Sequence, residues 1–359
     1  MLSRNIDTSF WTQFPSSFST QFLISVENKS VRNKSKQIIT LTSIVCLLII
    51  SVASMAVAAG YNGECWVVNG SGNGEIVKVT PDGQVDPNII AGFVQPQYAI
   101  VNPKDGTLWV SDAAAGAVFK FNFDGSGPVQ INFTGNDKPR SISIDPNDGS
   151  AWVGADTGVY KVTADGKSKK KVATTGDEAY VAVNTADGSC WVADSSGKVL
   201  KYSKEGQKLL EASPTTPLTE PKYVAVNSTT GDVWVADSQA GIIVKLDANG
   251  KELLRTTEVG MPVSLSVNFK TGDLWVADTK NFQFAKLSKD GKVSATVPDL
   301  GIPKAVSVNS KTGDVWVATT QFTGEGYVIK LSKGGKPLFM IDVFTSPISV
   351  SAGYWEEKK

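Results

Sequence analysis

A Trp-Val pair recurs at residues 66, 109, 152, 191, 234, 275 and 316, and no other feature of the 359-residue chain restricts its fold as strongly. The intervals are 43, 43, 39, 43, 41 and 41 residues, so the chain carries seven copies of one unit. The unit is clearest in its fifth copy. An apolar run Val224-Ala225-Val226 is closed by Asn227, and a Thr230-Gly231-Asp232 turn follows. Then come Val233-Trp234-Val235-Ala236-Asp237 and Ile243-Val244-Lys245-Leu246. An Asn or Asp closes the first run at 102, 145, 184, 227, 268 and 309, always seven residues before the tryptophan.

Each run is short, rich in β-branched and aromatic residues, and bounded by turn formers, which is the pattern of strands. Pairs such as Asp105-Gly106, Asp148-Gly149 and Asn249-Gly250 suit tight hairpins because they tolerate positive φ. A fourth, more variable strand follows each lysine-containing run. Four antiparallel strands in about 42 residues make one blade of a β-propeller. The sequence therefore predicts an all-β, seven-bladed propeller of four-stranded antiparallel blades over residues 60–359. A solenoid fits less well, because solenoid repeats are usually shorter or helical. The first Trp run has no preceding strand outside an N-terminal apolar segment, whereas residues 347–353 read as an orphan eighth first strand. That orphan is expected to complete blade one and close the ring, leaving no open sheet edge. Residues 57–61 resemble 350–354 and compete for the slot.

Upstream of the repeats the composition changes. Residues 1–36 are polar, with Arg4, Lys29, Arg32, Lys34 and Lys36 as their basic side chains. Residues 37–59 carry no charge, and the apolar part, 38–59, would span about 33 Å as a helix, enough for a bilayer core of about 30 Å. Basic residues just before this segment, with Lys78 the first after it, predict a cytoplasmic N-terminus and an extracytoplasmic propeller. Two readings stay open: an uncleaved signal anchor that holds the protein in the membrane through residues 38–59, or a signal peptide cleaved near Ala56-Val57-Ala58. Translation starting near Val31 would leave a signal peptide of ordinary length. Cys46 lacks the small preceding residue of a lipidation site. Cys65 and Cys190 occupy equivalent places in repeats one and four, so they are expected as separate buried thiols.

Histidine is absent, which removes Ser-His-Asp chemistry, an imidazole base and His-ligated metals. Thirty-five basic residues balance 35 acidic ones, and this argues against a nucleic-acid partner. No cofactor and no EF-hand-type calcium loop is indicated.

Three residue types recur blade by blade. The tryptophans Trp66, Trp109, Trp152, Trp191, Trp234, Trp275 and Trp316 are expected to pack between blades. An Asp follows the Trp strand at Asp112, Asp156, Asp194, Asp237 and Asp278, with Asn69 and Thr319 in the other two copies. Five carboxylates in a ring invite a metal reading, but Asp and Asn also accept backbone N–H groups in turns. The turn role is expected, so exchange for Asn should cost little. The third strand holds a lysine throughout: Lys78, Lys120, Lys161, Lys201, Lys245, Lys286 and Lys330. Its stem can cover apolar surface while the ammonium reaches a carboxylate, a need common to all blades. Lys167, Lys169, Lys170 and Lys171 are expected to protect an outer edge.

Function should then lie where the copies differ. Tyr98, Arg140, Tyr180, Lys222 and Tyr223 stand at the start of first strands in blades two to five, on the face shared by incoming loops. They are the candidate ligand-binding residues, aromatic plus Arg being the usual make-up of a hot spot. On the same face the Trp-to-Lys spacing is 9–12 residues in six blades, most often 11, but 14 in blade seven, where residues 321–327 enlarge the loop. Asn69, Asn132 and Asn227 head glycosylation sequons.

The frame VAVN…TGDVWVAD…IVKLDANG resembles the NHL-type propeller repeat and its relatives in cell-surface propellers of archaea and bacteria, over about residues 60–359. The resemblance implies a propeller from a superfamily of protein-binding modules, lactonases and virginiamycin B lyases. Those lyases rely on catalytic histidines, which this chain lacks. The resulting expectation is an exported cell-surface binding or scaffold module without catalysis, its partner a protein or glycan. The alternatives are a metal-dependent lactonase-like hydrolase outside the cytoplasm and a purely structural envelope protein.

Overall fold

A computed structural model describes residues 62–354, except 71–73 and 136. The expected N-terminal regions 1–36 and 37–59 lie outside the described residues. Among those described, no helix is long and apolar enough to cross a membrane.

The described residues form 28 strands in seven four-stranded antiparallel sheets, one per repeat. Blade five runs outward from Pro221–Val226 through Val233–Asp237 and Ile242–Leu246 to Glu252–Thr256. All five residues of its Trp strand are buried, because neighbouring blades cover both faces. The Trp strand is therefore a continuous apolar run instead of an alternating one. Hairpins between the first two strands are set by the closing Asn or Asp. Asn227 Oδ1 accepts the Thr229 N–H at 3.0 Å, and Asp145 Oδ1 accepts that of Asn147 at 2.9 Å.

The cores lie between blades. Trp109 packs on Ile142, Ala151 and Val153 of blade three, and Trp234 on Leu274 and Val276 of blade six. Trp316 meets Cys65 and Val77 of blade one, whose own Trp66 meets Leu108 and Val110 of blade two. Each blade thus lends its largest side chain to the next, all the way round.

The recurrent lysine stands opposite the tryptophan on the neighbouring strand, as in the Trp234–Lys245 pair. Lys245 Nζ lies 5.3 Å from the centre of the Trp234 ring and 2.9 Å from Asp232, and donates to the Lys289 carbonyl of the next blade at 3.2 Å. Lys330 repeats this across the seam, over Trp316 at 5.6 Å and bonded to the Pro81 carbonyl at 2.8 Å. These ammonium groups fasten blades together. On the outer strand of blade three, Lys169 covers Phe133 and Lys171 pairs with Asp137.

Ring closure uses the C-terminal strand. Pro347–Tyr354 pairs antiparallel with Asn62–Asn69 and fills the inner position of blade one. The competing residues 57–61 lie outside the described residues. Cys65 and Cys190 are buried free thiols. Of the three sequon asparagines, Asn69 and Asn227 are buried and engaged in turns, whereas Asn132 is exposed.

Candidate functional site

The loops that lead into the inner strands share one face with the loops between Trp and Lys strands, and the aspartates knit the two sets together. Asp237 accepts the backbone N–H groups of Thr219, Glu220 and Ala240. Asp112 accepts those of Val94, Gln95 and Ala115 at 2.7–3.0 Å, and Asp278 those of Gly260 and Met261 at 3.0 Å. Asp194 binds Gly176 and Ser196, while Asn69 accepts the Ser346 N–H at 2.9 Å in blade one. Among the described residues no group of three or more His, Cys, Asp or Glu side chains is placed to hold a metal ion.

Asp156 departs from the expected series. The position three beyond Trp152 is Ala155, and Asp156 stands one residue past the strand Ala151–Ala155. Its carboxylate turns to Arg140 at 2.6 Å. In blade three the loops are tied from the other side, by Asp137, which accepts the Thr157 N–H at 2.7 Å as well as the Tyr160 hydroxyl, and pairs with Lys171 at 3.0 Å. These bonds hold the Asp137 carboxyl below its usual range against the opposing effect of burial. The shortened 39-residue interval before Trp191 was the signal that blade three differs.

At the centre of the same face the inner strands surround a cavity of about 180 Å³, and Tyr98, Arg140, Tyr180 and Tyr223 line it together with Gln97 and Lys304. Four of the five candidate residues therefore meet at the channel mouth. The fifth, Lys222, is joined to it by charge. Arg140 is 3.1 Å from Glu178, Glu178 is 3.8 Å from Lys222, and Lys222 is 3.0 Å from Glu220. Burial acts against the Arg140 charge, but Asp156 and Glu178 outweigh it and raise its pKa. The Tyr180 and Tyr223 rings lie 5.1 Å apart, and the Tyr180 hydroxyl donates to Glu178 at 3.2 Å. Burial pushes the Tyr223 hydroxyl up to about 12 and raises Tyr180 further, helped by Tyr223 and Glu178. Both stay neutral donors at physiological pH. Glu178 and Glu220 were not picked out from the sequence, since nothing distinguishes them locally from other loop carboxylates.

The mouth thus combines a chain of ion pairs, three carboxylates with two cations, and two phenol rings tilted at 43° to each other. It offers hydrogen bonds and aromatic surface.

Fold and face together define a seven-bladed β-propeller with its variable loops gathered over the channel. No protein-family model matches the chain, and no curated protein matches it. Solved structures do. One is a functionally unknown protein from Desulfotomaculum acetoxidans, at 12% identity and TM-score 0.65, covering 82% of this chain and 100% of that one. The virginiamycin B lyase from Staphylococcus aureus is 15% identical with TM-score 0.59, covering 71% and 88%. A chain of a nidogen/laminin complex is 12% identical with TM-score 0.54, covering 82% and 99%. At these identities the likeness is one of fold.

Proposed function

We propose that the chain is an extracytoplasmic binding module whose partner, a protein, docks on the channel-mouth face. The observation that carries this is the convergence of Tyr98, Arg140, Tyr180 and Tyr223, from four blades, on one cavity, the tyrosines standing at an inner-strand position where blades three, six and seven hold Ser141, Ser264 and Ala305. Arg and Tyr are enriched in interface hot spots, and their position in a half-buried rim fits that use. A propeller of the same fold occurs in a nidogen/laminin complex, which supports a protein partner over a glycan. The basic-then-apolar N-terminal sequence supports export, and the described chain enters blade one at Asn62, at the end of its strand away from the mouth loops.

The metal-dependent hydrolase has less in its favour. Its carboxylates would have to converge on one point, whereas Asp156, Glu178 and Glu220 are each engaged by Arg140 or Lys222.

A photo-crosslinking residue at Gln97, on the mouth, should yield adducts to a partner protein in the producing cell. The same residue at Thr230, on the opposite hairpins, should not. Adducts from Thr230 alone would overturn the docking reading. Protease added to intact cells should digest the propeller, and complete protection would overturn the extracytoplasmic one.

A further inference from the structure

The loop between the Trp and Lys strands has the same length in blades two, five and six, since Asp112 pairs with Ala117, Asp237 with Ile242 and Asp278 with Gln283. Its last residue adopts a left-handed backbone each time. In blades two and five that residue is glycine, Gly116 at φ 60° and Gly241 at φ 66°. In blade six it is Phe282, at φ 52°. A bulky side chain in this region costs energy that glycine would not, and such strain tends to persist where function needs it.

The ring gains little burial in return. Phe282 is 44% exposed and rests against Phe322, whose centroid is 5.6 Å away and which is itself 78% exposed. Phe322 sits on the enlarged blade-seven loop, closed by the Gln321 N–H on the Glu325 carbonyl at 2.6 Å. Met261, 41% exposed, lies on the adjoining incoming loop, its carbonyl bonded to Thr279. Two departures from the repeat, one a strained aromatic and one an insertion, therefore place two exposed rings side by side on the mouth face.

We infer that Phe282 and Phe322 form an apolar anchor site that takes a hydrophobic side chain of a protein partner lying across the mouth. The chemistry around the rings selects this occupant over a sugar. One amide N–H each of Asn281 and Gln283 is turned to Asp278 and one of Gln321 to the Leu300 carbonyl, which leaves fewer donors for sugar hydroxyls beside the rings. Met261 adds a soft apolar surface that adapts to protein side chains. On the same face, Lys304 of blade seven's inner strand lines the central cavity.

This inference rests on the mouth face being the binding face, and the test separates the two. A random twelve-residue peptide library displayed on phage is selected on the full-length protein. Selected peptides are expected to share an aromatic or aliphatic residue and to bind at least tenfold more weakly to Phe322→Ser and to Phe282→Gly. Phe282→Gly should melt no earlier than the unmodified protein, because it restores the residue that blades two and five use. A clear fall in its melting temperature would show that the ring is structural and overturn the inference. So would peptides that bind the variants equally well, or binding to a glycan array abolished by Phe322→Ser. The double variant Tyr180→Ala/Tyr223→Ala reports on the mouth alone. If it leaves peptide binding intact while the Phe variants lose it, the mouth reading fails and the anchor site stands.

Discussion

Val67 and Val350 face each other in an antiparallel pair, the first from the strand that opens the propeller and the second from the strand that ends it. Around them Cys65 stands opposite Ala352 and Trp66 opposite Ser351. Blade one is therefore built from the first and last strands of the propeller, and the interface between blades seven and one contains Val350.

Removing residues 346–359 should consequently unfold more than one blade. Stability of a domain totals about 5–15 kcal/mol, and a whole inner strand with its share of two cores is a large part of that. The shortened protein is expected to melt far below the full chain or to aggregate, as followed by circular dichroism and size-exclusion chromatography. Equal melting temperatures would show that another segment completes the sheet.

Asp237→Asn should cost about 1–3 kcal/mol, more than the turn role alone suggests. Both carboxylate oxygens of this buried side chain accept backbone N–H groups, Oδ2 from Thr219 and Oδ1 from Glu220 and Ala240. An amide would set its own N–H₂ against one of those donors. Chemical denaturation should show the loss, with Asp156→Asn as the milder counterpart because its partner is the half-buried Arg140.

Glu64 gives stability a pH dependence of unusual sign. Burial raises its pKa from 4.5 to about 7, with Asp86 adding to the rise and Lys78 opposing it. The folded protein thus keeps a proton that the unfolded chain releases. The stabilisation this provides is present below about pH 4.5 and is lost as pH rises through 7. Glu64→Gln should therefore raise the melting temperature at pH 8 relative to the parent, with the gain shrinking towards pH 5. A gain that is independent of pH would contradict the assignment.

Lys245→Met should destabilise by roughly 1 kcal/mol, because the stem still covers Trp234 while the cation–π contact, the Asp232 pair and the bond to Lys289 are lost. Lys245→Ala should cost more, since it also uncovers the ring. Parallel urea melts at low and high salt would separate charge from packing.

The blade plan is legible in the sequence because its cause is local. The Asn227–Trp234 spacing fixes one hairpin length, the Trp-Val run needs cover on both faces, and each interface repeats the same demand. Even the seam is readable, since a lone first-strand pattern at the end of the chain has one gap to fill.

What the tertiary structure decided is everything that depends on one loop meeting another. Asp156 looked like a member of the aspartate series, yet a one-residue offset turned it to Arg140 and left its task to Asp137. Glu178 joins Arg140 to Lys222 only because blades three, four and five converge at the channel. Phe282 has its meaning only when its φ is known and its ring is seen against Phe322. Strand pattern records the burial that every blade must satisfy, whereas these particular loop contacts join residues 16 to 44 positions apart, each made in one place only, and so leave no period in the sequence.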